Sequence, residues 1–173
     1  MKKIILIISL ILFCTSCLFI HRGIRINGTC RPKYPNFTLL KTPFKETDKL
    51  IFNRVYTLNG ENKEGIGFYA DGRMILLSNY NYKIQNYDLI SLDFIKSKNW
   101  NNPDIIGYWR VEGDKIKTEY FSCTNYGNYI IMQGEIKGDT ILLLYERDYG
   151  FSLNPFKSVE RPEKYILSDM SFE

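Results

Sequence analysis

Glycine next to asparagine or aspartate recurs between short apolar runs: Asn59 with Gly60, Asp71 with Gly72, Gly113 with Asp114, and Gly138 with Asp139. Glycine enters the left-handed backbone region at no steric cost, and Asn or Asp can hydrogen-bond its own backbone, so each pair reverses the chain. The stretches between the turns are short and rich in Val, Ile, Tyr and Phe, the residues that suit a pleated, half-buried surface. Tight turns between such runs force neighbouring segments to pair antiparallel.

The runs follow one another in sequence. LIFNRVYTL (50–58), EGIGFYA (64–70) and RMILLS (73–78) predict three strands of a meander. Residues 105–111, 116–121, 129–136 and 140–146 predict four more, and a last strand is expected near 164–168. About eight strands at turn spacings of roughly 8–12 residues define an all-β chain, an antiparallel meander forming a small barrel or sandwich. The intervening NYNYKIQNYDLISLDFIKSKNWNNPD does not alternate cleanly; one short helix over 86–96, with Asn86 as its cap, is expected there.

The N-terminus has a different design. Lys2 and Lys3 precede an apolar run over 4–13 broken only by Ser9, which is the layout of a secretory signal peptide and predicts a signal helix. Cys14 and Cys17 close the run. A redox CxxC needs a folded strand and helix around it, and zinc needs two further ligands, whereas His21 is the only histidine of the chain. Thr15 and Ser16 followed by Cys17 resemble the bacterial lipobox. That resemblance implies that Cys17 receives a diacylglycerol and becomes the new N-terminus once the peptidase has cut before it. Phe13 is too bulky to precede a second such site at Cys14. An uncleaved anchor over 4–20 is the alternative, at the short edge of a spanning helix. The organisation read from sequence is therefore 1–16 signal peptide, 17–48 lipid anchor and tether, and 49–173 a single β domain. Residues 18–48 carry three prolines and no sustained period, although Tyr34, Phe37, Leu39, Leu40 and Phe44 are apolar enough to pack on that domain.

Both readings of the N-terminus place the rest of the chain in the cell envelope, facing the periplasm or the cell surface. Paired cysteines tend to form disulfides in an oxidising compartment, and Cys30 and Cys123 are the two that remain after lipidation. Their bridge would clamp the tether to the domain.

Composition and motifs exclude several kinds of chemistry. Lys and Arg number 23 against 19 Asp and Glu, and two of the lysines belong to the signal segment, so the balance does not call for nucleic acid. Without a histidine beyond His21, a Ser-His-Asp triad, a Cys-His pair and a histidine-based metal site are not expected, and no phosphate-binding loop or other cofactor motif is present. Among carboxylates, Glu119, Glu135 and Glu146 lie on neighbouring predicted strands, but their charged neighbours point to solvated cross-strand positions. Asp88 and Asp93 lack the spacing and glycine of a calcium loop. No catalytic and no metal-binding residue is therefore expected. Tyr80, Tyr82, Tyr87, Trp100, Tyr108 and Trp109 gather around the irregular segment, and of the adjacent Tyr108 and Trp109 one must face away from the core.

The paired units GYWRVEGDKIKTEYF and GEIKGDTILLLYE are similar to those of small lipocalin-like envelope domains. The resemblance implies a barrel or half-barrel with a ligand-sized interior and transfers no catalytic residue. The function expected from sequence is a lipid-anchored envelope protein with a non-catalytic binding or structural β domain. It would meet the membrane through Cys17 and take a small apolar ligand or an envelope protein as partner. The alternatives are an envelope inhibitor or immunity-type protein acting through a sheet face, and a carboxylate-dependent hydrolase. The anchor is directly testable: labelled palmitate is expected to enter the wild type and Cys14→Ala but not Cys17→Ala, and equal labelling of Cys17→Ala would remove the lipobox reading.

Overall fold

The eight β-rich runs each become a strand, and each pairs with the next. The structure, a computed structural model, describes residues 23–26, 29–78, 80–81, 86–87, 89, 100, 103–123, 127–149 and 157–172. The signal segment, Cys17 and Asp88 lie outside these residues, as does 90–99, which contains Asp93. In chain order the strands are β1 (Gly23–Ile26), β2 (Thr29–Pro32), β3 (Arg54–Leu58), β4 (Glu64–Phe68), β5 (Arg73–Ser78), β6 (Tyr80–Asn81), β7 (Asn86–Tyr87), β8 (Ile105–Glu112), β9 (Lys115–Ser122), β10 (Asn128–Lys137), β11 (Thr140–Tyr149) and β12 (Lys157–Ser171). Eight of them, β3, β4, β5 and β8 to β12, form an up-and-down antiparallel meander that β12 closes by pairing with β3. The result is a closed barrel. β1 and β2 form a hairpin outside it, joined to β8 by a parallel bridge at Cys30 and Ile105. Asn86, expected to cap a helix, instead stands opposite Asn81 in the small β6–β7 pair.

Two boundaries differ from the sequence expectation for local reasons. β3 starts only at Arg54, because Asn53 takes φ 57° and residues 44–53 cross one end of the barrel. β12 is far longer than expected, and Pro162 lies in the break of its register with β11, between Leu143 and Tyr145. Proline has no N–H to donate to a ladder, so a register break is where a strand accommodates it.

Gly113 and Gly138 hold φ of 60° and 58° at the β8–β9 and β10–β11 turns. Together with the Asp71 and Gly72 turn, these mark one end of the barrel. That end is filled. Trp109 is fully buried, stacks on Phe52 at 5.7 Å, meets Phe44 and Phe68 edge-on, and donates its indole N–H to Tyr69 O at 3.1 Å. The backbone N–H of Ile51 donates to the Tyr56 hydroxyl at 2.9 Å, which ties the crossing segment to β3.

The strands also bury much of their outer face, which is why runs such as RMILLS show little alternation. Val55, Ile75 and Leu77 lie under Met170 and Phe172 of the C-terminal segment. Gly67 permits this: a Cβ there would stand 2.2 Å from the Phe172 ring. On another side Phe37 packs with Ile106, Phe121 and Tyr129, and edge-on against Tyr108 at 4.9 Å. Tyr108 therefore faces away from the interior, and Trp109 toward it.

The segment read as a tether is thus a strap over the barrel, at least from Thr29 onward. Cys30 and Cys123 form a disulfide with Cα atoms 5.7 Å apart, across 93 residues. Past it, a 3-10 turn (Leu39–Lys41) is gripped at both ends. At its start the Glu119 carboxylate accepts hydrogen bonds from the N–H groups of Thr38 (2.9 Å) and Leu39 (2.6 Å) and from the Thr38 hydroxyl (3.2 Å). At its end Arg110 donates to Leu39 O and, at 2.9 Å, to Thr42 O. Acid at the N–H end and base at the carbonyl end is the arrangement a helical turn favours. Glu119 is 0% exposed, so its expected place in solvent is corrected: it points outward from the sheet, but the strap covers it.

Replacing Glu119 with Ala leaves two backbone N–H groups without their acceptor. A loss of roughly 1–3 kcal/mol is expected in denaturant unfolding, with faster tryptic cleavage at Lys33 and Lys41. Unchanged stability and cleavage would show that Phe37 and the disulfide hold the strap unaided.

Candidate functional site

The other end of the barrel interior holds a cavity of about 250 Å³. Its walls come from β4, β5, β9, β10, β11 and β12, together with the approach to β8. Inward alternation supplies an apolar lining: Ile66 from β4, Met74 and Leu76 from β5, Ile130 and Met132 from β10, and Leu143 from β11. Polar side chains share this lining: Glu64, Ser78, Thr118, Tyr120, Ser122, Glu163 and Tyr165. The Gly-Asp turns that dominate the sequence lie at the filled end, away from this cavity.

Glu163 and Tyr165 are two positions apart on β12 and share the interior face. The Tyr165 hydroxyl donates to Glu163 Oε2 at 3.0 Å. Burial, above all, raises the Glu163 carboxyl above its ordinary range; the hydrogen bond from Tyr165 opposes this, and the charges of Glu146 and Glu64 add to it. Tyr165 is raised as well, first by burial and then by the charge and hydrogen bond of Glu163, so its hydroxyl stays a donor. Glu146 reaches this site through register: it stands opposite Met132, and paired residues share a face. Asp104 accepts from the Ser78 N–H at 2.8 Å at the cavity edge.

The three glutamates singled out in the sequence are therefore separated. Glu119 is buried under the strap, Glu135 pairs with Lys137 at 3.0 Å on the outer surface, and Glu146 alone turns inward. Trp100, at 5.9 Å from Tyr108 and under the Arg73 guanidinium, belongs to the outer surface. The side chains of Tyr80, Tyr82 and Tyr87 lie outside the described residues. Glu64 and Glu163 were not among the candidates, although a signal exists: EGIGF and EKYIL place each glutamate in phase with inward apolar residues. Among the described residues no group of three or more His, Cys, Asp or Glu side chains is placed to hold a metal ion.

A second hollow, of about 420 Å³, lies outside the barrel against the 3-10 turn. Both signs of charge line it, and its Arg110 is already committed to the strap carbonyls. The interior cavity is the better candidate, because the barrel itself encloses it.

No protein-family model, curated protein or solved structure matches the chain.

The Glu163 environment sets a pH dependence. A carboxyl raised in the folded state binds its proton more tightly there than in the unfolded chain. The stability it contributes is complete below the ordinary Glu value of about 4.3 and is lost as pH rises through the raised folded value. The groups acting on it are Tyr165, Glu146 and Glu64, and Asp104 and Tyr120 line the same cavity. Glu163→Gln keeps the uncharged form at every pH. Its Tm is expected to exceed that of the wild type near pH 8 and to converge with it below about pH 4; a lower Tm near pH 8 would contradict the assignment.

Proposed function

We propose that this protein is a lipid-anchored component of the cell envelope whose β-barrel binds a small, partly apolar ligand in its interior. The cavity carries the proposal: one half of the barrel is packed solid around Trp109, while the other half leaves about 250 Å³ between Met74, Met132 and Leu143. That volume lies just below the roughly 300–1,000 Å³ of ordinary small-molecule sites, which suits a compact ligand. The lipocalin-like resemblance of the paired Gly-Asp units points the same way.

Anchoring and ligand binding are compatible in space. Gly23 stands beside Cys123 and Phe121, since a Cβ on it would lie 3.0 Å from each side chain. Cys123 directly follows Ser122, which lines the cavity. An anchor at Cys17 precedes Gly23 by six positions, and six residues reach at most about 20 Å. On this reading the cavity end of the barrel stays close to the membrane. The disulfide fits the oxidising compartment that export implies.

The sheet-face alternative calls for a flat aromatic patch. The exposed large apolar residues among those described are Ile26, Tyr34, Leu40, Ile51, Leu89 and Tyr145, only two of them aromatic. They favour that reading less.

Methionine methyl NMR separates cavity from surface. Met74 and Met132 line the cavity, and Met170 lies in the outer cluster under the C-terminus. With ¹³C-methyl methionine in the full chain in phosphatidylglycerol nanodiscs, n-hexanol is expected to shift the Met74 and Met132 signals and leave Met170 in place. Shifts confined to Met170, or none at millimolar alcohol, would overturn interior binding.

A further inference from the structure

The polar groups of the cavity specify what kind of ligand it takes. Its described lining contains three carboxyl side chains, Glu64, Asp104 and Glu163, and not one Lys, Arg or His. Glu146 adds a fourth carboxyl to the electrostatic surroundings of Glu163. Asp104 is occupied by the Ser78 N–H, and one oxygen of Glu163 by the Tyr165 hydroxyl. Glu64 and the second Glu163 oxygen are left facing the space.

Independently of the acids, Thr118 on β9 is 1% exposed and lines the same cavity, so its hydroxyl offers a further acceptor there. Carboxylates withdrawn from water carry a free-energy cost, which a cation with N–H donors offsets.

We propose that the ligand carries a single primary ammonium group on a short apolar chain, the ammonium held by Glu163 and Glu64 with the Thr118 hydroxyl as a third acceptor. An ammonium has three donors and no acceptor, which matches three acceptors around one space. Tyr165 positions Glu163 and keeps its own proton. The chain of the ligand lies against Met74, Met132 and Leu143, which give the cavity its apolar wall. An organic ammonium suits this site better than a metal ion, because the described carboxyls form no chelating group. A carboxylate ligand of the same length meets like charge in the cavity and is rejected.

This inference rests on the reading of the barrel as a ligand carrier, and the test keeps the two apart. The full chain in phosphatidylglycerol nanodiscs, which contain no lipid amine, is titrated with n-hexylammonium, n-hexanol and n-hexanoate while the Met74 and Met132 methyl signals are followed. Hexylammonium is expected to bind at least tenfold more tightly than hexanol, and hexanoate more weakly than either. In Glu163→Gln the ammonium affinity is expected to fall at least tenfold, with hexanol unchanged within about twofold. Glu64→Gln is expected to lower the same preference, and it serves as the test should Glu163→Gln not fold. Hexanol binding as tightly as hexylammonium, or a preference that survives both substitutions, overturns the ammonium assignment and leaves the ligand carrier standing. Failure of all three probes overturns both.

Discussion

The pairing of β12 with β3 is the constraint on which the rest of the molecule depends. Tyr165, Ile166 and Leu167 stand opposite Leu58, Thr57 and Tyr56, so that residues more than a hundred positions apart complete one ladder. Without it the meander is an open sheet with two edges of unpaired N–H and C=O groups, which invite pairing with other chains. With it the inward residues of all eight strands face one enclosed space. The same pairing brings Glu163 and Tyr165 into that space beside residues of β4, β9 and β11. Closure creates the core and the cavity in one step.

A closed barrel of this size needs little from outside, yet both chain ends are used as covers. The C-terminal Phe172 fits where Gly67 leaves room, and the strap lays Phe37 over Tyr108, Phe121 and Tyr129. The disulfide restricts the strap at one point, and Glu119 with Arg110 restrict it at another. A cross-link chiefly limits the unfolded chain, whereas buried charges that hold a backbone turn specify the folded geometry. The two devices therefore act on different sides of the folding equilibrium.

The cavity departs from the pattern followed elsewhere in the barrel. Around Trp109 inward positions hold Phe, Tyr, Ile and Val; along the cavity inward positions also hold Glu64, Thr118 and Glu163. Acidic side chains on an inward face weaken the fold, as the raised Glu163 carboxyl indicates. Positions that break the local rule are where function is expected. Glu119 is the instructive contrast. It is more deeply buried than Glu163, but three hydrogen bonds to the strap account for it in full.

Local chemistry in the chain determined the strands and their order: turn pairs at Asn59 with Gly60 and at Gly113 with Asp114 depend only on neighbouring backbone angles, and short turns dictate an antiparallel meander. The same local logic made Tyr108 and Trp109 point to opposite faces. Whether the meander closed, and which face each acid occupied, depended on partners far away in sequence. Alternation gives two faces but does not say what lies over them: Glu119 is on an outward face and is buried only because the strap from residues 29–42 covers it. Glu146 has charged neighbours that suit a surface position, but the register with Met132, fixed by breaks at Gln133/Gly134 and Leu143/Tyr145, turns it inward. Glu64 and Glu163 lie on different strands, β4 and β12, and only closure of the barrel brings them to one cavity. Secondary structure follows from short-range sterics, whereas a site assembled across a closed sheet exists only once the long-range pairing has formed.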